Sequence, residues 1–339
     1  MRGQPGPGAR AEKRRVDGVV LLDKPPGLSS NAALQRVKRA FRAHKAGHTG
    51  TLDPLATGLL PICLGEATKF SQGLLDSDKA YETDVTLGVT TETGDAEGRV
   101  TNTQPVRLAR DDIERVLAGF RGDIMQVPHK YSAIKRNGRA LYDYARAAEA
   151  IEIAPRPVRI IALDVAAWES PVLSLRVRCS KGTYIRSLAE DIGAALGCGG
   201  HVSALRRVET GDFAIGNAVD LARLEAMSDS ERDNLLLPVT ALVERLPQET
   251  LAPLEAARFT QGLAAQCGFG GKSGDALPDG PVAVYAAAGA PKAQREFLGL
   301  GRLEDRDGVR FAVPVRLLST VASRAQPPGD RALAEASGR

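Results

Sequence analysis

Of the 339 residues, those of Gly47–Leu60 (GHTGTLDPLATGLL) have the types and spacing that best suit chemistry. Three glycines and a proline, followed by an apolar run to Leu64, describe a sharply turned loop carried by a rigid strand. Such a loop can hold a carboxylate outside any ordinary helix or strand setting, available to act as a nucleophile or a base. The carboxylate is Asp53, wedged between Leu52 and Pro54, and Pro54 restricts the backbone around it. Asp before Pro is also a common turn-former. The local sequence therefore supports both a catalytic acid and a plain turn residue.

A second feature is Arg121–Arg146, which interleaves Lys130, Lys135, Arg136, Arg139 and Arg146 with Tyr131, Tyr142 and Tyr144. Cations for phosphate beside rings for exposed bases suit an RNA hairpin; an amphipathic helix with a solvated face shares the pattern. Residues 1–45 hold eleven Lys or Arg against three Asp or Glu, whereas the whole chain carries only +4. A basic end on a near-neutral body is what a phosphate-contacting surface looks like, although a solubilising tail looks the same.

Other chemistries find little support. Cys63, Cys179, Cys198 and Cys267 are scattered, without a C-x-x-C pair or a histidine cluster, so buried thiols are expected rather than a zinc site or disulfides. His44, His129 and His201 read as ordinary polar residues. No dinucleotide or phosphate-loop glycine motif follows a strand, and neither metal nor cofactor is expected. No apolar run approaches the roughly 20 residues that span a bilayer. The start, MRGQPGPGARAEKRR, lacks the apolar stretch of a signal peptide and reads as a disordered basic arm over residues 1–15. A cytoplasmic protein without membrane attachment is expected, and nothing in the sequence calls for an obligate protein partner or for more than a monomer.

Several elements must position the loop. Asp17–Asp23 reads as an apolar strand closed by the turn Lys24-Pro25-Pro26-Gly27. Ser29 or Ser30 can cap a helix to about Arg42, with Leu34, Val37 and Phe41 on one stripe and Arg36, Arg39 and Arg42 on the other side. Further strands are expected at Tyr81–Val89, Val158–Ala167 and Val172–Cys179, the last alternating cleanly between apolar and polar residues. Helices are expected near Asp111–Gly119, Leu141–Glu149 and Thr183–Leu196. Irregular interleaving favours an α+β fold with a mixed, mostly antiparallel sheet over a regular βαβ wind. Near Leu246-Pro247 the pattern changes, so residues 16–246 read as one domain. Residues 247–320 read as a small β-rich one, with a short helix and strands at Val282–Ala287, Glu296–Leu300 and Val309–Val315 split by Gly268–Gly280. A polar tail, 321–339, is expected to be disordered.

The loop sequence Gly-His-Thr-Gly-Thr-Leu-Asp-Pro-Leu-Ala-Thr-Gly resembles the signature loop of the TruB family of pseudouridine synthases, and the match runs on through Leu60–Phe70. Three more segments are similar, in the family's order: Leu22–Ser30, Lys79-Ala80-Tyr81 and Cys179–Arg186. The resemblance is strong from Asp17 to Gly211. It implies a synthase core with an RNA-gripping insertion near 121–150 and a PUA-like RNA-binding domain over 247–320. The implied activity is isomerisation of a uridine in the T-arm loop of tRNA, at position 55, without cofactor or metal.

The resemblance also assigns residues. Asp53 is the essential carboxylate, attacking covalently or taking a proton from the sugar, and Arg186 is the cation that holds it. Tyr81 stacks on the target uracil, and its hydroxyl assists proton removal at C5. Tyr184 and Leu205 line the uracil pocket, His48 meets RNA near the vacated base position, and Lys24 joins the substrate-binding set. Lys130, Lys135, Arg136 and Arg139 become RNA contacts. Two rival readings remain. Guide-RNA-dependent relatives share the region around the Asp but read Lys-Val-Thr-Gly after Asp-Pro, where this chain has Leu55-Ala56-Thr57-Gly58. A tRNA-folding chaperone would open the T-arm without chemistry.

Overall fold

The computed structural model describes residues 12–132, 134–136, 138–147, 149, 151–268, 277–287 and 295–319. The tail beyond 319, most of the basic arm and most of the glycine-rich stretch lie outside them. The chain divides into two compact units, one of residues 1–65 and 71–236, the other of 66–70 and 237–339. The compositional change near 246 thus falls ten residues inside the second unit, which also takes in a five-residue segment from much earlier in the chain.

The first unit is built on a mixed, mostly antiparallel sheet of ten strands. These are β1 (Gly18–Lys24), β2 (Ala46–His48), β3 (Thr57–Leu64), β4 (Lys79–Leu87), β5 (Gly122–Gln126), β6 (Arg156–Glu169), β7 (Val172–Cys179), β8 (Gly200–Thr210), β9 (Phe213–Ala214) and β10 (Val219–Asp220). Their order is β10-β1-β3-β8-β4-β7-β6-β5, with β2 beside β3 and β9 beside β8. Only the β1–β10 and β3–β8 pairings are parallel. The helices α1 (Ser30–Ala40), α2 (Arg110–Ala118) and α3 (Ile185–Ala195) pack their apolar residues into the same core as Leu173, Leu175, Val177 and Cys179 of β7. The alternation read from β7 is real: Arg176 and Arg178 lie exposed between those buried positions.

Boundaries differ from the sequence reading for local reasons. Ser29 is the N-cap of α1, its hydroxyl accepting the Ala32 N–H at 3.1 Å. The helix stops at Ala40 rather than Arg42, because Arg42 turns into the left-handed region (φ 52°). Strand β4 starts two residues earlier than expected and ends before Gly88 (φ 81°); Val89 opens a separate ribbon, Val89–Thr91 with Val100–Thr103. The helix expected over Leu141–Glu149 covers only Leu141–Arg146, and Thr183 and Tyr184 precede α3 rather than belonging to it.

Part of the basic charge at and near α1 is taken up by acidic partners, while Arg39 stays exposed. Arg36 pairs with Glu225, Arg42 with Asp229, and Arg14 with Asp233 at 2.6 Å, so these cations tie α1 and the chain's start to the two helices at Leu221–Ala226 and Asp229–Asn234. Arg14 also donates to the Phe41 carbonyl at 3.1 Å, which fixes the end of the expected arm.

The second unit holds a five-stranded sheet in the order Gln248–Leu251, Val282–Ala286, Glu296–Arg306, Val309–Leu317, Ala265–Gln266, covered by the helix Pro253–Thr260. Two of its short strands were not anticipated. Phe259, Leu251, Val284 and Leu298 make its core. Among the described residues, no helix is long and apolar enough to cross a membrane.

Candidate active site

The loop between β2 and β3 is stapled on both sides of Asp53. On one side the Ser30 hydroxyl, 2% exposed, accepts the Leu52 N–H at 2.7 Å and donates to the Leu52 carbonyl at 2.9 Å. On the other, the Gly27 N–H donates to the Pro54 carbonyl at 2.8 Å. Lys24, 0% exposed, donates its ammonium to the carbonyls of Leu28 (2.7 Å), Pro25 (3.0 Å) and Pro54 (3.4 Å). The segment Lys24–Ser30 is therefore a clamp, and burial lowers the lysine's pKa to about 8. Lys24 serves the loop, and it is not among the residues that line the cavity beside Asp53.

Gly58 closes the loop where only glycine fits. Its φ is +100°, and a Cβ there would stand 2.3 Å from the backbone oxygen of Arg207 on β8. That close approach lets β3 and β8 run side by side, bringing the loop over the central strand.

Arg186 reaches Asp53 from the first turn of α3. Its Nε lies 2.9 Å from Oδ2 and its Nη2 donates to Oδ1 at 3.2 Å, a side-on fork. The remaining donors are also engaged. Nη2 donates to the Tyr131 carbonyl at 2.9 Å, and Nη1 to the Thr93 carbonyl at 3.0 Å. Nη1 also faces Asp95 Oδ2 at 3.6 Å and His129 Nδ1 at 3.5 Å. Arg186 is 5% exposed, and its guanidinium is held from every side.

Asp95 and His129 were not picked out from the sequence. Asp95 is 4% exposed, with its Oδ1 accepting from the Thr93 hydroxyl (2.5 Å) and the Glu97 N–H (3.1 Å). The available signal was its glycine-punctuated setting, Thr-Gly-Asp-Ala-Glu-Gly, which like that of Asp53 suits a fixed acid in a turn. His129 accepts the Tyr131 N–H at Nδ1 (3.2 Å), which leaves Nε2 as the donor facing Glu190 at 3.6 Å. No sequence pattern announces that contact.

A cavity of about 630 Å³ opens beside Asp53. Tyr81 on β4, Tyr184 just before α3, Leu205 on β8 and Arg186 line it, together with Asp95, Tyr131, Ser132, Tyr142, Arg146 and Arg207. Three apolar or aromatic walls beside the Asp53 carboxylate, with Asp95 and Glu97 also in the lining, suit a flat, weakly polar ring. Burial raises the pKa of Asp53; Arg186 pulls it back down and Asp95 adds to the rise. Burial likewise raises the Tyr81 hydroxyl, opposed by Arg207. Gln126 clamps the backbone of Tyr184, accepting its N–H at 2.8 Å and donating to its carbonyl at 3.1 Å, so that wall is rigid.

The other expected residues lie apart from the cavity. His48 ends β2, its Nδ1 buried without a hydrogen-bond partner, and burial lowers its pKa. Lys130 and Lys135 are exposed. Arg139 is engaged by Glu149 at 2.9 Å and stacks over Tyr144 at 4.4 Å, while Arg136 donates to the Glu152 carbonyl. These two arginines shape their own hairpin as well as presenting charge.

The mixed, mostly antiparallel sheet has the pseudouridine synthase fold. Among solved structures, the chain is similar to one in a Cbf5–Nop10–Gar1 complex (TM-score 0.64, 28% identity, covering 89% of this chain and 85% of that one). It is also similar to one in an archaeal box H/ACA sRNP Nop10–Cbf5 complex (0.66, 25%, 91% and 88%). Residues 38–185 match the N-terminal domain of TruB family pseudouridylate synthase, and residues 186–244 match the tRNA pseudouridylate synthase B C-terminal domain. A protein of Aromatoleum aromaticum named tRNA pseudouridine synthase B is 51% identical over 94% of this chain and 97% of its own length. One of the same name from an Azoarcus species is 57% identical over 74% and 83%. The chain belongs to the TruB family of pseudouridine synthases, which are isomerases.

Proposed function

We propose that this enzyme converts uridine to pseudouridine in the T-arm loop of tRNA, at position 55, with Asp53 as its essential carboxylate. The observation that carries the reading is Asp53 forked by Arg186 at the edge of a cavity walled by Tyr81, Tyr184 and Leu205. The names of the relatives, at about half identity over nearly the whole chain, support tRNA as substrate.

The chemistry needs three things of these residues. The target base must leave its stack, at a cost of a few kcal/mol, and the ring of Tyr81 and the apolar side chain of Leu205 offset that cost by contact. The C1′–N1 bond must then break, the base turn over, and C5 bond to C1′. Asp53 contributes either by bonding to C1′ or by removing a sugar proton, and Arg186 keeps it ionised and aimed in both routes. Finally the proton at C5 must depart to a base, a role this reading gives to the Tyr81 hydroxyl in the cavity wall. Lys130 and Lys135 on the exposed hairpin suit phosphate contact, and the second unit is a PUA-like RNA grip in this reading.

The likeness to chains solved inside Nop10 complexes raises a guide-RNA-dependent alternative. Purified protein incubated with a tRNA transcript alone, followed by pseudouridine mapping, tests both. Conversion at the T-arm position that disappears in Asp53→Asn supports the proposal, and no conversion without added components supports the alternative.

A further inference from the structure

Arg207 is the largest fully buried side chain of the first unit, at 1% exposure, and it follows Arg206 on β8. Alternation along the strand sends the two to opposite faces. Arg206 pairs with Asp23 at 2.6 Å on the outer face, whereas Arg207 points inward beneath the loop. There its Nε donates to the Leu59 carbonyl at 2.8 Å and its Nη2 to the Gly50 carbonyl at 3.1 Å. Gly50 stands near the start of the loop that carries Asp53, and Leu59 stands in β3 just past the loop's end. Gly50 (φ +91°) also leaves room for the guanidinium: a Cβ there would lie 3.2 Å from Nη1. The same guanidinium stands beside the Tyr81 hydroxyl and lines the cavity.

Among the described residues no carboxylate lies within ion-pair distance of Arg207. A buried guanidinium without a counter-ion is costly, and its neighbours Lys24 and Lys79 are themselves buried cations. An apolar residue would fill the same space more cheaply, so stability alone does not account for the arginine. What only an arginine supplies is a rigid planar fork that reaches two carbonyls and a hydroxyl at once.

We propose that Arg207 is a positioning residue for the isomerisation, bracing both ends of the Gly50–Leu59 segment against Tyr81 so that Asp53 and the Tyr81 ring keep a fixed separation. The proposal rests on the reaction assigned above, and the wild-type enzyme assayed alongside tests that assignment separately. The experiment measures single-turnover rate at saturating T-arm hairpin, hairpin affinity, melting temperature and amide exchange in Arg207→Lys and Arg207→Gln. In both variants the rate should fall about 10²-fold, the penalty of a misplacement on the order of 1 Å, with affinity changed less than about threefold. Exchange should quicken in peptides covering 47–60 and not elsewhere. Lysine should fail to rescue, because one ammonium cannot span both carbonyls. A rate within about threefold of wild type in either folded variant, or full activity with lysine alone, overturns the proposal. So does faster exchange throughout the first unit with a general loss of melting temperature, which would mark Arg207 as ordinary structural support. An inactive wild type would instead count against the assigned reaction.

Discussion

Asp95 Oδ2 lies 3.6 Å from Nη1 of Arg186, on a different edge of the guanidinium from the one that Asp53 occupies. One cation thus faces two carboxylates, and the more buried of them sits behind it. Two negative charges near one positive one raise the energy of ionised Asp53, and Asp95 pushes its pKa up accordingly.

Replacing Asp95 with Asn should therefore lower the pKa of Asp53. The acidic limb of the rate profile, set by ionisation of Asp53, should move to lower pH. The plateau rate should also fall, because Arg186 loses the anion opposing its pull on Asp53. A plateau loss with an unmoved acidic limb would mean that Asp95 acts on the fold and not on the charge of Asp53.

Arg186→Lys keeps the charge and loses the fork. Five guanidinium N–H groups meet Asp53, Thr93, Tyr131 and the Asp95–His129 pair, and an ammonium has three donors with no fixed plane. Activity should fall by about 10²-fold or more, as when one preorganised electrostatic partner is removed from an active site. Single-turnover kinetics at saturating RNA would reveal this, and a near-normal rate would show that charge alone suffices.

Much of this site was legible in the sequence because its motifs are local. The Leu22–Ser30 and Gly47–Leu60 segments name both halves of the clamp, and the turn residues within them announce a fixed loop. Legibility failed where a residue acts across the fold. The central strand β8 was missed because Arg206 and Arg207 interrupt its apolar pattern; a buried arginine is indistinguishable in sequence from a surface one. The resemblance places Lys24 in the substrate-binding set, and its three carbonyl partners across the loop are a feature that the sequence does not announce. Strand Val172–Cys179 was read to the residue, since Leu173, Leu175, Val177 and Cys179 are buried and the residues between them are half-buried or exposed.

The Asp53–Arg186 pair also bears on stability. An acid whose pKa is raised in the fold above its ordinary 3.8 favours the protonated form there, so ionised Asp53 weakens the fold at neutral pH. The deficit is relieved as pH falls through the folded pKa. Asn carries no charge at any pH and lacks the deficit. Asp53→Asn should thus abolish turnover yet melt at or above the wild-type temperature at pH 7, with the difference shrinking as pH is lowered. Melting curves for both proteins from pH 7 to pH 4.5 check this, and a variant well below wild type at pH 7 would mean the ion pair outweighs burial.

The division of the chain predicts how a truncation behaves. Cutting after residue 236 removes the second unit's sheet but leaves its segment Glu66–Phe70 attached to the first unit. Phe70, 2% exposed, would lose the Phe297 ring at 5.3 Å, and Lys69 would lose the Leu317 carbonyl at 3.3 Å. A bare phenylalanine beside the end of β3 invites aggregation, so the simple truncation should be poorly soluble and Phe70→Ser should restore solubility. All the cavity-lining residues precede residue 236, so the soluble form should turn over an isolated T-arm hairpin at near the full-length rate. Its affinity for whole tRNA should fall by about tenfold or more, ~1.4 kcal/mol of lost contact, with a shallower salt dependence because phosphate contacts are the ones removed. Normal tRNA affinity combined with slow turnover of saturating hairpin would reverse the assignment, making the second unit a support for the catalytic loop rather than a grip on RNA.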